Sequence, residues 1–431
     1  MYRSQEGLGV WEHRGKVAAV GIGCSPAARR WDEKVETSLA AWTILAARKC
    51  LEDAGVSPSE VDGVVTCPSG LGASWAPRPI PEDFAKAYQL TPGNPNDGLT
   101  GMSADFLVRN MPELKNVKFT MHGPGCMSNA LCVAAQAVGS GLTQTCLVVR
   151  GSGNIEGRYG QSGAAALDTA SGPAQWMAPW GFQGGIPQIA YGFDQYCRKY
   201  GTNHDRMAPY VVNQRRNGLM NPDGYYAQHR REVLTLEDYL NGRWIVKPMN
   251  IFDCDLPIQV AVSYLFTTPE RARNMKQKPV YILNHASNRP RTRSSTETLE
   301  EIEASQRSLA RKLYEGSGLT AKDIDVFNPY DGFTLFSQYY LEGLQWRGVK
   351  RGEAHDFYAS DISVEGPNPF SPSGGNNGSG RTRWWMHSDS IQQLQGRAGQ
   401  RQVQDRFRTA GISGGPMPMS GDWTVWATSP D

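Results

Sequence analysis

The sequence predicts an α/β fold assembled from two related halves, and three observations carry that prediction. The chain begins with a β-α-β order. A stretch of its first helix, turn and strand recurs near residue 310. The recurrence then runs into Asn328-Pro-Tyr-Asp-Gly-Phe-Thr, a strand-to-helix turn of the kind where open α/β sheets place ligands.

The first unit starts at Val17-Ala-Ala-Val-Gly-Ile-Gly, a short apolar run ending in glycines that reads as a buried strand. Ser38 to Ala54 has helical apolar spacing, with Ser38 placed as N-cap and Gly55 as the stop. Val61 to Thr66 is the next strand, so a parallel sheet covered by helices is expected. The repeat sets Ala47-Arg-Lys-Cys-Leu-Glu-Asp-Ala-Gly-Val-Ser-Pro-Ser-Glu-Val-Asp over Ala310-Arg-Lys-Leu-Tyr-Glu-Gly-Ser-Gly-Leu-Thr-Ala-Lys-Asp-Ile-Asp without a gap. In that register the Tyr330 turn is the counterpart of the Cys67-Pro-Ser-Gly turn.

Composition narrows the class. The 431 residues suffice for two or three domains or one large two-lobed body. Lys+Arg 44 against Asp+Glu 42 leaves a formal charge of +2, which argues against a nucleic-acid footprint. Mean hydropathy is negative, no apolar run reaches the roughly 20 residues of a membrane span, and the amino terminus lacks a signal-peptide core. The 8 cysteines are scattered without a CxxC pair, as expected of reduced thiols in a cytoplasmic protein with no metal site.

Candidate chemistry sits at the turns. Tyr330 is a phenol at a strand end, able to serve as acid or base if its pKa is moved, or simply to hydrogen-bond the turn. Val117-Lys-Phe-Thr leads into Met121-His-Gly-Pro-Gly-Cys-Met-Ser-Asn and the apolar helix Ala130 to Val138. A cysteine at such a helix start gains nucleophilicity, so Cys126 is a candidate nucleophile, the alternative being a small buried thiol. Gly151 to Gly201 reads as irregular surface covering a pocket, and His204 to Gly218 as a helix bearing Arg206, Arg215 and Arg216. Those arginines suit phosphate, or form a solvated face. Gln259 to Thr267 and Pro279 to Asn284 are strands. Ser371-Pro-Ser-Gly-Gly-Asn-Asn-Gly-Ser-Gly-Arg381 is a glycine-dense loop feeding the helix Thr382 to Gln395, an oxyanion or phosphate cradle by its geometry. Trp423-Thr-Val-Trp-Ala-Thr reads as an edge-like strand.

Taken together, Asn213-Gln-Arg-Arg-Asn…Asn221-Pro, Val246-Lys-Pro-Met…Asp253-Cys254, Tyr330-Asp-Gly-Phe-Thr, Ser373-Gly-Gly and Gln393-Leu-Gln-Gly-Arg-Ala-Gly-Gln-Arg-Gln-Val resemble the thiolase superfamily. The branch resembled is that of sterol-carrier-protein-type thiolases and lipid-transfer-protein-like enzymes. The resemblance implies a five-layer αβαβα fold from two duplicated halves with an inserted loop region. The boundaries expected are 1-150, 151-277 and 278-431, and such proteins are usually dimers. Departures from the thiolase pattern fall on its chemistry. Tyr330-Asp331 stands where that family has His-Asp, and Gly380-Arg381-Thr382 where it has Gly-His-Pro. An ungapped match puts the nucleophilic cysteine on Pro124, and Cys126 takes that place only through a two-residue deletion.

What the resemblance implies is retro-aldol cleavage of a β-hydroxyacyl-CoA, as in the steroid side-chain aldolases of the branch. Tyr330, Cys126, His387 and Arg381 are the expected catalytic residues, and His122, Asp331, Gly374 and Gly375 the expected substrate contacts. His387 is expected to titrate near neutral pH, its alternative being a surface or core histidine. Trp180, Phe182, Tyr339, Trp384 and Trp385 would suit a sterol-sized ligand or serve packing. An acyl-CoA substrate, no bound cofactor, a homodimer and an OB-fold/zinc-ribbon partner protein complete the expectation. Two alternatives stand beside it: an acyltransferase using Cys126, and a non-catalytic lipid-binding scaffold.

Overall fold

In the computed structural model the described residues are 9–67, 80–90, 97–122, 128–154, 175–176, 178–180, 182, 185–288, 298–404, 410–415 and 421–431. The first half contains β1 (Ala18–Cys24), α1 (Leu39–Ala54), β2 (Gly63–Thr66), β3 (Phe119–His122), α2 (Asn129–Gly139) and β4 (Thr145–Ser152). The middle of the chain adds α3 (Gly185–Tyr200), α4 (Ala208–Leu219) and then β5 (Val260–Thr267). The second half supplies β6 (Val280–Ser287), α5 (Leu299–Ser317), β7 (Val326–Pro329), α6 (Ser337–Leu344), the short α7 (Gly375–Ser379), α8 (Trp385–Gln395), β8 (Ala410–Gly415) and β9 (Asp422–Ala427).

The strands follow the order β3-β2-β4-β5-β1-β6-β9-β8-β7. Read outward from the β1/β6 pair, the two halves repeat one order: β1-β5-β4-β2 on one side, β6-β9-β8-β7 on the other. The expectation of a parallel sheet holds for β2 with β3 and β4, and for β7 with β8. It fails for β5 and β9, which lie antiparallel to their neighbours. These strands return from a hairpin or an excursion rather than from a crossover helix, and only crossovers enforce parallel pairing.

Alternation along each strand divides the core. Val260, Val262, Tyr264 and Phe266 of β5 share a cluster with α2 (Leu131, Ala134, Val138) and α8 (Trp385, Ile391, Leu394). Leu265, Val64, Leu147 and Leu283 face the opposite cluster, with Ala47 and Leu51 of α1 and Leu309 and Leu313 of α5. Because strand side chains point alternately to the two faces, α2 and α8 become a middle layer and α1 and α5 the outer ones. These are the five layers expected.

The internal repeat is structural to the residue. Helices α1 and α5 both stop at a left-handed glycine, Gly55 (φ 69) and Gly318 (φ 70), a conformation that costs a Cβ-bearing residue energy. A single 3-10 turn closed by a capping box follows in each, Ser57/Glu60 and Thr320/Asp323. The recurring aspartate then fixes the adjacent strand. Thr145 N donates to Asp62 Oδ1 at 2.8 Å, and Ala410 N to Asp325 Oδ2 at 3.4 Å.

Two further expectations change. Residues 185–200 form a 16-residue helix rather than irregular surface, because Ile189, Ala190, Phe193 and Tyr196 make one buried face. Strand β9 lies between β6 and β8 and is buried throughout, so it is a central strand. Among the described residues no helix is long and apolar enough to cross a membrane. Among the described residues the seven cysteines form no disulfide.

Candidate active site

Tyr330 follows the last residue of β7, and its N–H donates to Gly414 O of β8 at 2.7 Å. Space for its ring is made by glycines. A Cβ on Gly332 would collide with the Tyr330 hydroxyl, and one on Gly415 (φ 133) with the Tyr330 Cβ. The side chain is 5 % exposed, and its hydroxyl donates to no described residue through a hydrogen bond. Burial raises the phenol's pKa, the Asp255 carboxylate raises it further, and Arg383 and Arg381 oppose. At neutral pH Tyr330 is therefore un-ionised.

The charges around it are locked by the segment before β5. Asp255 N donates to Gly332 O at 3.1 Å, and Arg381 N to Leu256 O at 2.7 Å. Arg381 Nε then reaches both oxygens of Asp255, at 2.8 and 2.9 Å, with both side chains almost fully buried. No sequence pattern assigns Asp255 a role. Its position became meaningful once the chain brought it against Arg381. Its neighbour Asp253 buttresses the same turn. It accepts from Thr334 Oγ1 at 2.6 Å and Tyr239 OH at 2.8 Å, and pairs with His204 Nε2 at 2.7 Å.

Asp331 points away from solvent into the start of α7. Its carboxylate accepts from Asn376 N (2.6 Å), Asn377 N (3.1 Å) and Gln214 Nε2 (2.8 Å). Burial lifts its pKa to about 7 even though those N–H groups pull it down. Gly375 (φ 56) lies against that carboxylate, and Gly374 (φ 66) against Gly218 of α4, where no Cβ would fit. Gly375 N is taken by Ser373 Oγ at 3.0 Å and Gly374 N by Ser371 O at 3.1 Å. The loop's amides thus serve Asp331 and the loop itself, and the glycines allow close approach to α4.

His387 sits in the middle layer, with Nε2 at 2.7 Å from Ser128 Oγ and Nδ1 at 2.8 Å from Ser413 Oγ. Burial pushes its pKa down to about 3, so it is a neutral tie between α2, α8 and β8 rather than a group titrating near neutrality. His122 is exposed on β3, its Nδ1 at 2.8 Å from Thr66 Oγ1. Cys126 and Pro124 lie outside the described residues. Of the aromatics, Tyr339, Trp384 and Trp385 are buried packing, whereas Trp180 is 85 % exposed. Arg206 and Arg216 pair with Asp356 and Glu365 at the surface, and Arg215 stacks 3.6 Å from the Tyr226 ring centroid. The structure therefore gathers Tyr330, Asp331, Gly375 and Arg381 around one turn, while His387 and His122 join other elements.

These buried groups fix a pH dependence of stability. His387 (about 3), His285 and His355 (each about 4) are held below the ~6.5 of an unfolded histidine. The unfolded chain therefore binds more protons as pH falls from ~6.5 toward 4, and stability is lost in that direction. Asp331, raised above the ~3.9 of an unfolded aspartate, works oppositely, its contribution fading as pH rises through about 7. Burial raises the carboxyls of Asp223, Glu342 and Asp389 as well, and these act with Asp331, so the histidines' share is the part that acidification from pH 7 to 5 removes. Replacing His387 by Gln should flatten that dependence by about one proton, roughly 1.4 kcal/mol per pH unit. Urea unfolding at pH 5, 6 and 7 measures it, and an unchanged slope would show His387 to be protonated in the native state.

Residues 287–423 match the family described as thiolase C-terminal domain-like. The chain is 27% identical over 370 residues to a steroid side-chain-cleaving aldolase of Thermomonospora curvata, covering 84% of this chain and 85% of that one. It is 28% identical over 374 residues to a 17-hydroxy-3-oxo-4-pregnene-20-carboxyl-CoA lyase of Mycobacterium tuberculosis, covering 84% and 86%. Among solved structures it superposes on an Ltp2-ChsH2(DUF35) aldolase with a TM-score of 0.73 at 22% identity, covering 96% and 98%. On human mitochondrial 3-ketoacyl-CoA thiolase in complex with CoA the TM-score is 0.60 at 12% identity, covering 97% and 99%. The chain thus has a thiolase-like fold, matches the thiolase C-terminal domain-like family over residues 287–423, and is similar over most of its length to a steroid side-chain-cleaving aldolase and a 17-hydroxy-3-oxo-4-pregnene-20-carboxyl-CoA lyase.

Proposed function

We propose that the chain is a carbon–carbon lyase that cleaves a β-hydroxyacyl-CoA, a steroid side-chain thioester, into a ketone or aldehyde and a shortened acyl-CoA. The names of the two relatives similar over most of the chain support this reading. The observation that carries it is Tyr330: a neutral phenol, packed against Gly332, at the strand end where a thiolase has its histidine.

The chemistry asks for what this turn offers. A base takes the proton of the β-hydroxyl, whose oxygen becomes the carbonyl, and the Cα–Cβ electron pair passes into the thioester as an enolate. Cα then takes a proton. In sum one proton moves from oxygen to carbon, with no change of oxidation state and no acyl-enzyme. A phenol whose pKa is raised stays protonated until an enolate, a far stronger base, is formed beside it. Tyr330 is the donor in this scheme, and the Asp255–Arg381 pair holds its surroundings. A homodimer working with an OB-fold/zinc-ribbon partner belongs to the same proposal. The two-component title of the aldolase structure that the chain superposes on is consistent with a partner.

The test incubates the protein, alone and with an OB-fold partner encoded beside it, with a β-hydroxyacyl steroid CoA. Mass spectrometry should find the ketosteroid and the shortened acyl-CoA in equal amounts without added free CoA. A product that forms only when free CoA is supplied would instead mean thiolysis. Cys126→Ala should keep the turnover of the parent protein, and loss of activity in that variant would point to covalent catalysis.

A further inference from the structure

Two turns meet at the candidate site, Tyr330–Gly332 and Arg381–Arg383, and they are joined twice. One joint is charged: Asp255 N donates to Gly332 O, and the Asp255 carboxylate pairs with Arg381. The other is a single carboxamide. Asn376, in α7, is fully buried. Its N and Nδ2 donate to Asp331 Oδ1 at 2.6 and 3.3 Å. Its Oδ1 accepts from Thr382 N at 3.0 Å and from Arg383 N at 2.6 Å. Both ends of the one amide are therefore in use, and in a low-dielectric interior such linked bonds polarise and strengthen one another.

The residue gripped at the far end has an uncommon backbone. Arg383 has φ 66, in the left-handed region that a residue with a Cβ enters only at a cost. A conformation of that kind persists where its surroundings over-determine it, and it collects at functional sites. The carboxamide also links two particular neighbours. At one end is Asp331, the residue after the phenol. At the other is Arg383, which comes first among the charges that oppose burial and Asp255 in setting the phenol's pKa.

We propose that Asn376 is a positioning residue that holds Arg383 in its left-handed conformation and so fixes the arginine's charge near Tyr330. This role rests on the retro-aldol reading. A phenol that gives its proton to Cα is left as a phenolate, which takes back the proton released from the β-hydroxyl. A cation already fixed nearby stabilises that phenolate as it forms, with no reorganisation at the moment of reaction. The carboxamide supplies the fixity without adding a second charge to the turn.

A double-variant cycle tests it, with Asn376→Ala, Arg383→Gln and the two together assayed for cleavage. Asn376→Ala should lower kcat by about 10- to 100-fold, the effect of a slight misplacement at a reacting group. KM should not change, because the contact matters to the transition state rather than to binding. The double variant should be no slower than Arg383→Gln alone, since both changes remove one influence. Losses that multiply would mean that Asn376 acts elsewhere, and a parental kcat in Asn376→Ala would overturn the proposal as well. If Asn376→Ala does not fold, Asn376→Ser carries the same cycle, its hydroxyl being one bond shorter than the carboxamide. Hydrogen exchange followed by mass spectrometry needs no turnover and keeps its answer even if the lyase reading fails. The Thr382 and Arg383 amides should exchange faster in Asn376→Ala while α1 and α5 keep the parent's protection. Unchanged exchange at those two amides would show that Asn376 does not hold the turn.

Discussion

Tyr330→Phe is expected to lower the rate of carbon–carbon cleavage by about 10²- to 10⁴-fold, the range of a positioned general acid, with little change in stability. The stability half of this expectation rests on the hydroxyl, which bonds no described residue, so its removal strands no partner. The ring stays wedged beside Gly415 in either protein. Single-turnover cleavage followed by mass spectrometry, with a melting curve on the same samples, gives both numbers. Full activity in Tyr330→Phe would remove the phenol from the mechanism. Gly332→Ala supplies a second view with the tyrosine still present. The added methyl group takes the place where the hydroxyl lies, so the donor is displaced and the rate should fall comparably. A Gly332→Ala enzyme as fast as the parent would mean that the phenol acts from another rotamer.

Asp255→Asn should be the most destabilising single change near the site, by about 3–5 kcal/mol, the usual penalty for leaving one partner of a buried pair charged. Arg381 would keep its guanidinium, almost wholly buried, with its bidentate acceptor gone. Replacing both members, Asp255→Leu with Arg381→Met, should recover most of the loss, because neither desolvated charge remains. Urea unfolding of the two single variants and the double variant closes the cycle. Additive losses would show that the pair is not coupled. The same substitution bears on catalysis with a defined sign. Burial and Asp255 raise the phenol's pKa while Arg383 and Arg381 lower it, so Asp255→Asn removes one of the raising influences and shifts the balance downward. Activity that needs a protonated Tyr330 should then fail at a lower pH than in the parent enzyme. A pH profile whose alkaline limb stays in place would separate Asp255 from the phenol.

The internal repeat, the glycine stops, the N-cap at Ser38 and the order of strand, helix and strand were legible because they are local. Capping, left-handed turns and apolar periodicity act over a few residues, and the sequence contains all of those residues in order. From the repeat alone the sequence also determined that Tyr330 ends a strand equivalent to the one ending at Cys67. Other features are set by partners far along the chain. Tertiary structure alone decided that β5 and β9 run antiparallel and that β9 is central. It also decided that His387 is a neutral tie and that Asp331 and its glycines face inward. The placement of Asp255 against Arg381, 126 positions away, belongs to the same class. A charge's pKa depends on what surrounds it in three dimensions, so the raised pKa of Tyr330 became legible only once burial and Asp255 were in place.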